Sequence, residues 1–327
     1  MNNGRRQELA AADRFFDWRY ARDFTRRELT TVESKADLYA LEATYRETLY
    51  ELARPCSDDD AIGATVRGIG LCLFRPDAIA HGKVAAAAGY LADLGFNLVG
   101  VAETEVRRSA IRDVWRYQLD VASGARLRLL DLLFTAMPSL VALYRLDPAA
   151  PRIPCSVLLA DSKGLANGAN RQGWELRSFL GSPNRIEVYV HCSDEPADVV
   201  RDGGILLGPG RLRNLIVNPR PGLTPASLAE AAESLAMEGK TRTVVEEVDE
   251  LLGPALRAGS GRDKAIDRWE VIRSAAAQCV MTAATTQTTI SDSGTYEWWS
   301  RIGLLDSRAP YFADRTGWAG NLREPHP

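Results

Sequence analysis

Three histidines occur in this chain of 327 residues, His81, His191 and His326, and one of them stands where chemistry is available. His191 follows the run Ile186-Glu-Val-Tyr-Val190, which predicts a strand, and it opens the sequence His-Cys-Ser-Asp-Glu. A neutral imidazole is a good nucleophile near pH 7, because its pKa lies close by. Attack on a phosphoryl group also needs an acceptor on the other ring nitrogen, and Asp194, Asp198 and Asp202 follow in a predicted helix. The spacing equally admits a strand-end histidine that only satisfies local hydrogen bonds. A nucleophilic pair of Cys192 and His191 is disfavoured, since neighbours on a strand point to opposite faces. His81 reads as structural, and His326, between two prolines, as solvated. No G-x-x-x-x-G-K-[ST] run occurs, so a P-loop kinase is not supported.

Alternating strands and helices are predicted to position His191. Strands are expected at 69–74, 96–101, 139–145 and 186–190, with helices at 82–94 and about 104–136, the latter broken near Ser123-Gly124. Residues 155–161 fit a short helix or a strand. Lys163 to Arg171, rich in Gly and Asn, reads as a loop. Together these predict an α/β domain. Residues 5–54 read as helical, with a capping box of Thr30 and Glu33 and an apolar stripe of Leu38, Leu41, Tyr45, Leu49 and Leu52. Residues 54–60 read as a linker. Beyond Gly208-Pro-Gly210 the chain turns helical again. Thr224-Pro225 begins one helix that Gly239 closes, and two more are expected at 241–258 and 264–284. Trp298, Trp299, Tyr311, Phe312 and Trp318 near the end need a surface to pack on. The expected divisions are a helical extension over 1–60, a central domain over 61–210 and a mainly helical extension over 211–327.

Composition narrows the partners. Forty basic and 43 acidic residues leave a net charge of −3, so neither nucleic acid nor an anionic membrane is an expected partner. A hydrophobic share of 46% and a charged share of 25% are ordinary for a globular chain. The five cysteines, Cys56, Cys72, Cys155, Cys192 and Cys279, are scattered with no C-x-x-C pair. A disulfide framework or zinc site is therefore not expected, and a reducing cytoplasm fits best. The basic residues Arg19, Arg22, Arg26 and Arg27 alternate with acidic ones and read as a solvated helix face.

An ordered set of segments resembles the nucleoside diphosphate kinase family. His191-x-Ser193-Asp194 at a strand end, with the carboxylate Asp202 eleven residues after the His, is similar to the family's active-site segment. Leu73-Phe-Arg-Pro-Asp77 is similar to its first strand and Lys-Pro-Asp motif. Leu94 to Val101 resembles the second strand, Pro138 to Leu143 the third, and Leu176-Arg177 the Ile-Arg ahead of the catalytic segment. The resemblance spans about 140 residues within 61–210. It implies a ferredoxin-like antiparallel sheet with helices on one face, plus the helical extensions, and a homo-oligomer. It implies that His191 accepts the γ-phosphoryl group of ATP or another nucleoside triphosphate, with Mg²⁺, and passes it to a nucleotide or nucleotide-like acceptor. Asp202 and Ser193 would support His191. Arg75, Arg177, Tyr117, Lys163 and Asn167 would line the nucleotide and its phosphates, and no protein-held metal site is implied. Arg75 stands where the family has Lys, Val188 where it has Asn and Cys192 where it has Gly. These departures point to an acceptor other than a common nucleoside diphosphate, or to a nucleotide-binding regulatory or scaffolding protein without catalysis.

Overall fold

A computed structural model describes residues 12–119, 124–146, 153–166, 171–183 and 187–238. The expected helices at 241–258 and 264–284, the closing Gly239 and the aromatic C-terminal residues lie outside the described residues. No described helix is long and apolar enough to cross a membrane.

Among the described residues the centre is a four-stranded antiparallel sheet of order β2-β3-β1-β4. Its strands are β1 (Gly70–Phe74), β2 (Asn97–Thr104), β3 (Ser139–Arg145) and β4 (Val190–Cys192). The two central strands are apolar at successive positions, and all of β1 is buried. Such strands need cover on both faces. Leu71, Leu73, Val141 and Leu143 face one apolar cluster, and Cys72, Phe74, Leu140, Ala142 and Tyr144 face a second. Helices therefore pack on both sides of the sheet, where the family resemblance implied one.

The N-terminal segment is not one continuous helix. After a 3-10 turn at Asp13–Phe16 come α1 (Trp18–Glu28), α2 (Glu33–Leu41), α3 (Ala43–Ala53) and α4 (Asp59–Arg67). The break at Glu42 splits the Leu38 to Leu52 stripe: Tyr45, Leu49 and Leu52 are buried, whereas Leu41 is 62% exposed. The expected Thr30–Glu33 capping box does not form. The Thr30 hydroxyl donates instead to Glu195 Oε2 at 2.6 Å, and Val32 occupies the cap position without a side-chain bond. Thr30 Oγ1 accepts the Val32 N–H at 3.1 Å, and its proton goes to a buried carboxylate 165 residues away in a charge-assisted bond.

Downstream, α5 (Pro76–Ala80), α6 (Val84–Asp93), α7 (Arg108–Val114), α8 (Arg116–Leu119) and α9 (Gly124–Thr135) connect the first three strands. The ambiguous segment is a helix, α10 (Cys155–Lys163), so Lys163 ends a helix and does not lie in the loop. After α11 (Leu176–Phe179) the last strand begins later than expected. Tyr189 takes a left-handed backbone, φ 63°, and its N–H donates to Asp77 Oδ2 at 3.1 Å. A left-handed residue cannot continue a ladder, so the strand starts at Val190 and His191 is its middle residue.

Beyond β4 lie α12 (Pro196–Leu207), α13 (Pro209–Val217) and α14 (Pro225–Glu238). Thr224 Oγ1 accepts the Ser227 N–H at 3.3 Å and Pro225 opens the helix, as the sequence suggests. Glu195 and Asp198 form the capping box that starts α12. The same two carboxylates receive the buried Lys35 ammonium, at 2.7 and 2.8 Å, and Asp198 also accepts from Tyr39 Oη at 2.7 Å. Burial pulls the Lys35 pKa down, but Asp198 and Glu195 outweigh it and hold it above its ordinary range. The N-terminal helices thus dock onto α12 through an ion cluster as well as through apolar packing. At the other end of α12, Gly203 and Gly204 let α13 and α3 approach. A Cβ on Gly203 would sit 2.7 Å from Leu212, and one on Gly204 would overlap Thr48.

Two outcomes test this docking. Lys35→Met strands two buried carboxylates, so unfolding free energy should fall by ~3–5 kcal/mol in denaturant titration. A loss below ~1 kcal/mol would show that the cluster does not hold the helices. Gly204→Ala should lower thermal stability, because overpacking of about 1–3 kcal/mol outweighs the gain in helix propensity of about 1 kcal/mol. Adding Thr48→Ala to it should restore most of the loss.

Candidate active site

His191 pairs with Leu73 across the β1–β4 ladder, which turns its side chain toward α12 and α7. Three carboxylates in the following segment were candidates to orient it, and the structure separates them. Asp194 binds the Lys163 ammonium at 3.1 Å. Asp198 belongs to the Lys35 cluster. Asp202 faces the imidazole: its Oδ2 lies 3.1 Å from His191 Nε2 and also accepts the Ser193 hydroxyl at 2.9 Å. Two turns of helix after Glu195 bring it to the level of the strand. An ionised carboxylate only accepts, so Nε2 is the protonated ring nitrogen and Nδ1 keeps the lone pair. The imidazole is 15% exposed and Asp202 6%.

The indole of Trp115 stands edge-on to the imidazole, with ring centroids 5.1 Å apart. Phe134 lies 4.8 Å beyond it, and the Arg75 guanidinium sits 4.6 Å over the Phe134 ring. An aromatic pair therefore spans from the histidine to a buried arginine. Arg75 Nε approaches Asp77 Oδ1 at 3.2 Å, yet Nε and Nη2 make no hydrogen bond among the described residues. Buried donors without acceptors are rare and costly. Burial pushes the Asp77 carboxyl above its ordinary range, and Arg75 opposes that rise.

Arg177 and Lys163 serve the backbone of the edge strand. In a ladder where residue 191 bonds inward to β1, residues 190 and 192 turn their carbonyls outward. Arg177 Nη2 donates to Val190 O at 2.7 Å, and Nη1 to Gly164 O at 2.8 Å. Lys163 Nζ donates to Cys192 O at 3.1 Å. Both cations are buried, and burial lowers the Arg177 pKa to about 10. The Tyr117 hydroxyl donates to Glu42 Oε1 at 2.9 Å, and its ring stacks on Tyr39 with ring centroids 5.9 Å apart. Asn167 lies outside the described residues. The structure thus brings His191, Ser193 and Asp202 together, and sets Arg177 and Lys163 along the strand that carries the histidine. Trp115 was not singled out from sequence. Its position two residues before Tyr117 carries no spacing signal that distinguishes it from a core aromatic.

No protein-family model matches the sequence, and no curated protein does. Among solved structures, an orthorhombic crystal form of the Aquifex aeolicus nucleoside diphosphate kinase is similar to 42% of this chain over 92% of its own, with 13% identity and a TM-score of 0.35. A nucleoside diphosphate kinase family protein from Babesia bovis is similar to 44% of this chain over 90% of its own, with 12% identity and a TM-score of 0.34. These values describe a partial likeness; what the site can do follows from its own geometry.

The orientation of the ring is measurable. In ¹⁵N spectra taken at alkaline pH, where imidazoles are neutral, His191 should be the Nε2–H tautomer. Asp202→Ala should give a mixture of tautomers, and Ser193→Ala should leave the ring as it is. A mixed population in the wild type would remove Asp202 as the orienting group.

Proposed function

We propose that the chain is a phosphotransferase that carries a γ-phosphoryl group on His191 Nδ1, from a nucleoside triphosphate to a nucleotide or nucleotide-like acceptor. The observation that carries this reading is the single oxygen, Asp202 Oδ2, that takes both His191 Nε2 and Ser193 Oγ. It holds the ring, supplies negative charge as the imidazole becomes cationic, and leaves Nδ1 as the nucleophile. The motif resemblance around His191, Arg75 and Arg177 adds the substrate class. The Nδ1 lone pair attacks the γ-phosphorus while the bond to the β–γ bridging oxygen breaks, and the nucleoside diphosphate leaves. A terminal oxygen of the acceptor then attacks the same phosphorus, the P–N bond breaks, and the electron pair returns to Nδ1.

Charge gathers on the equatorial phosphoryl oxygens during both transfers. Among the described residues, Arg75 Nε and Nη2 and Arg177 Nε make no hydrogen bond and are the donors proposed for them. Among the described residues no group of three or more His, Cys, Asp or Glu is placed to hold a metal ion. Mg²⁺ would enter with the nucleotide, where it would neutralise phosphate charge. A homo-oligomer working in the cytoplasm is part of this reading. Tyr117, Lys163 and Asn167 are proposed around the nucleotide.

One observation favours a second reading, nucleotide binding without transfer. Both terminal nitrogens of Arg177 are committed to main-chain carbonyls, and Lys163 is committed to Cys192 O and Asp194. In that state neither side chain reaches for a phosphate.

Incubation with Mg²⁺ and γ-labelled ATP or GTP separates the two. Transfer predicts an acid-labile, alkali-stable label on the wild type, none on His191→Ala, and labelling slowed at least about tenfold in Asp202→Ala. Nucleotide bound equally well by wild type and His191→Ala, with no label on either, would establish the second reading.

A further inference from the structure

We propose that Cys72 and Cys192 are a thiol modification site, closing into a reversible cross-strand disulfide beside His191. The register places them directly opposite each other on β1 and β4. Ser193 N donates to Leu71 O and Arg75 N to Tyr189 O, which makes 71/193 and 75/189 the hydrogen-bonded pairs. By alternation, 72/192 is a non-hydrogen-bonded pair, where Cα atoms come to about 4.5 Å and the side chains share one face. That separation falls inside the range of about 4.4–6.8 Å that a disulfide spans. Both thiols are free and buried.

The surroundings favour a thiolate. Lys163 Nζ lies 3.1 Å from Cys192 O, and Arg177 holds Val190 O on the same edge. Burial pushes the Cys192 thiol up, but the Cys72 hydrogen bond, Lys163 and Arg177 bring it below its ordinary range. Cys72 moves up, with burial the largest cause. Among the described residues the buried Tyr144 hydroxyl makes no hydrogen bond, and its pKa is raised by burial first and by the charge of Cys72 and Cys192 after it. Lys163 sits on Cys192 and not on Cys72, so Cys192 is taken as the attacking sulfur and Cys72 as the resolving one. Access comes from β4 itself, a three-residue edge strand whose local opening exposes both.

With hydrogen peroxide as oxidant, the Cys192 thiolate attacks one oxygen, the O–O bond breaks, and hydroxide leaves and takes up a proton as water. The resulting Cys192 sulfenic acid is attacked by Cys72. The S–O bond breaks, the S–S bond forms, and the departing hydroxide takes the Cys72 proton as a second water. Two thiols lose two electrons and two protons, and the peroxide gains them. A dithiol reductant reverses the outcome by exchange.

The test uses the full chain, reduced and then exposed to hydrogen peroxide, in buffer and in urea just below the unfolding transition. Remaining thiols are blocked with N-ethylmaleimide and the chain is digested without reductant. A Cys72–Cys192 linked peptide that dithiothreitol removes is the expected result, together with a higher denaturant midpoint for the oxidised chain. Cys72→Ala and Cys192→Ala should each abolish the peptide and the midpoint shift. Both cysteines recovered with the maleimide label under both conditions, or linkage of either to a different cysteine, would overturn the proposal. Neither readout depends on phosphoryl transfer.

Discussion

Helix α12 carries Asp198, Arg201 and Asp202 into the interior within a turn and a half, and each charge must find a partner there. Removing an ion from water costs several kcal/mol, and only close, complete pairing offsets it. Asp198 meets Lys35, Arg201 grips Glu42 at 2.7 and 3.0 Å, and Asp202 meets His191 and Ser193. Arg201 also donates to the carbonyls of Asp113 and Val114 at the end of α7. These partners come from the N-terminal helices, the α7 end and the edge strand. No rotation of α12 about its axis keeps all of them, so the cluster sets one orientation of the helix. The orientation of the histidine follows from that of the helix.

Around the histidine, a cationic layer and an aromatic layer divide the work. Lys163 and Arg177 close the outer edge of β4, which would otherwise present unpaired carbonyls to solvent. Trp115 and Phe134 wall the opposite side and connect it to Arg75. A ring held by one carboxylate, with apolar walls that limit water, is suited to a phosphorylated intermediate that must outlast one substrate and await another. Lys163 and Arg177 spend their terminal donors on β4, whereas Arg75, paired with Asp77, keeps donors without acceptors among the described residues.

The strands were legible where the sequence is apolar in succession or bounded by proline and glycine. β1 and β3 begin and end within one residue of their expected places, because Pro76 and Pro138 punctuate them. β4 was displaced because its start depends on Asp77, 112 residues away, holding Tyr189 in a left-handed turn. Local pattern contains nothing of that contact. The N-terminal region shows the same limit. Its Leu stripe was visible, but Lys35, Tyr39 and Glu42, which bind α12, look like ordinary surface residues until their partners are known. In the site, His191 was readable at the end of a predicted strand, whereas the role of Ser193 came from the resemblance. The choice of Asp202 among three carboxylates came from resemblance, since helix phase relative to the strand is a tertiary property. Trp115 carries no such mark.

The buried ion cluster has a meaning along the time axis of synthesis. Lys35 and Glu195 are 160 residues apart in the chain. At roughly 5–20 residues per second of translation, Lys35 leaves the ribosome on the order of ten seconds or more before its counter-charge exists. During that interval α1 to α3 have apolar faces and an ammonium with nowhere to dock. The caps of the edge strand wait far less, since Lys163 precedes Cys192 by 29 residues and Arg177 precedes Val190 by 13. Helices α1 to α3 are thus made well before they can settle, and a nascent chain halted before α12 would leave their apolar faces open to chaperones.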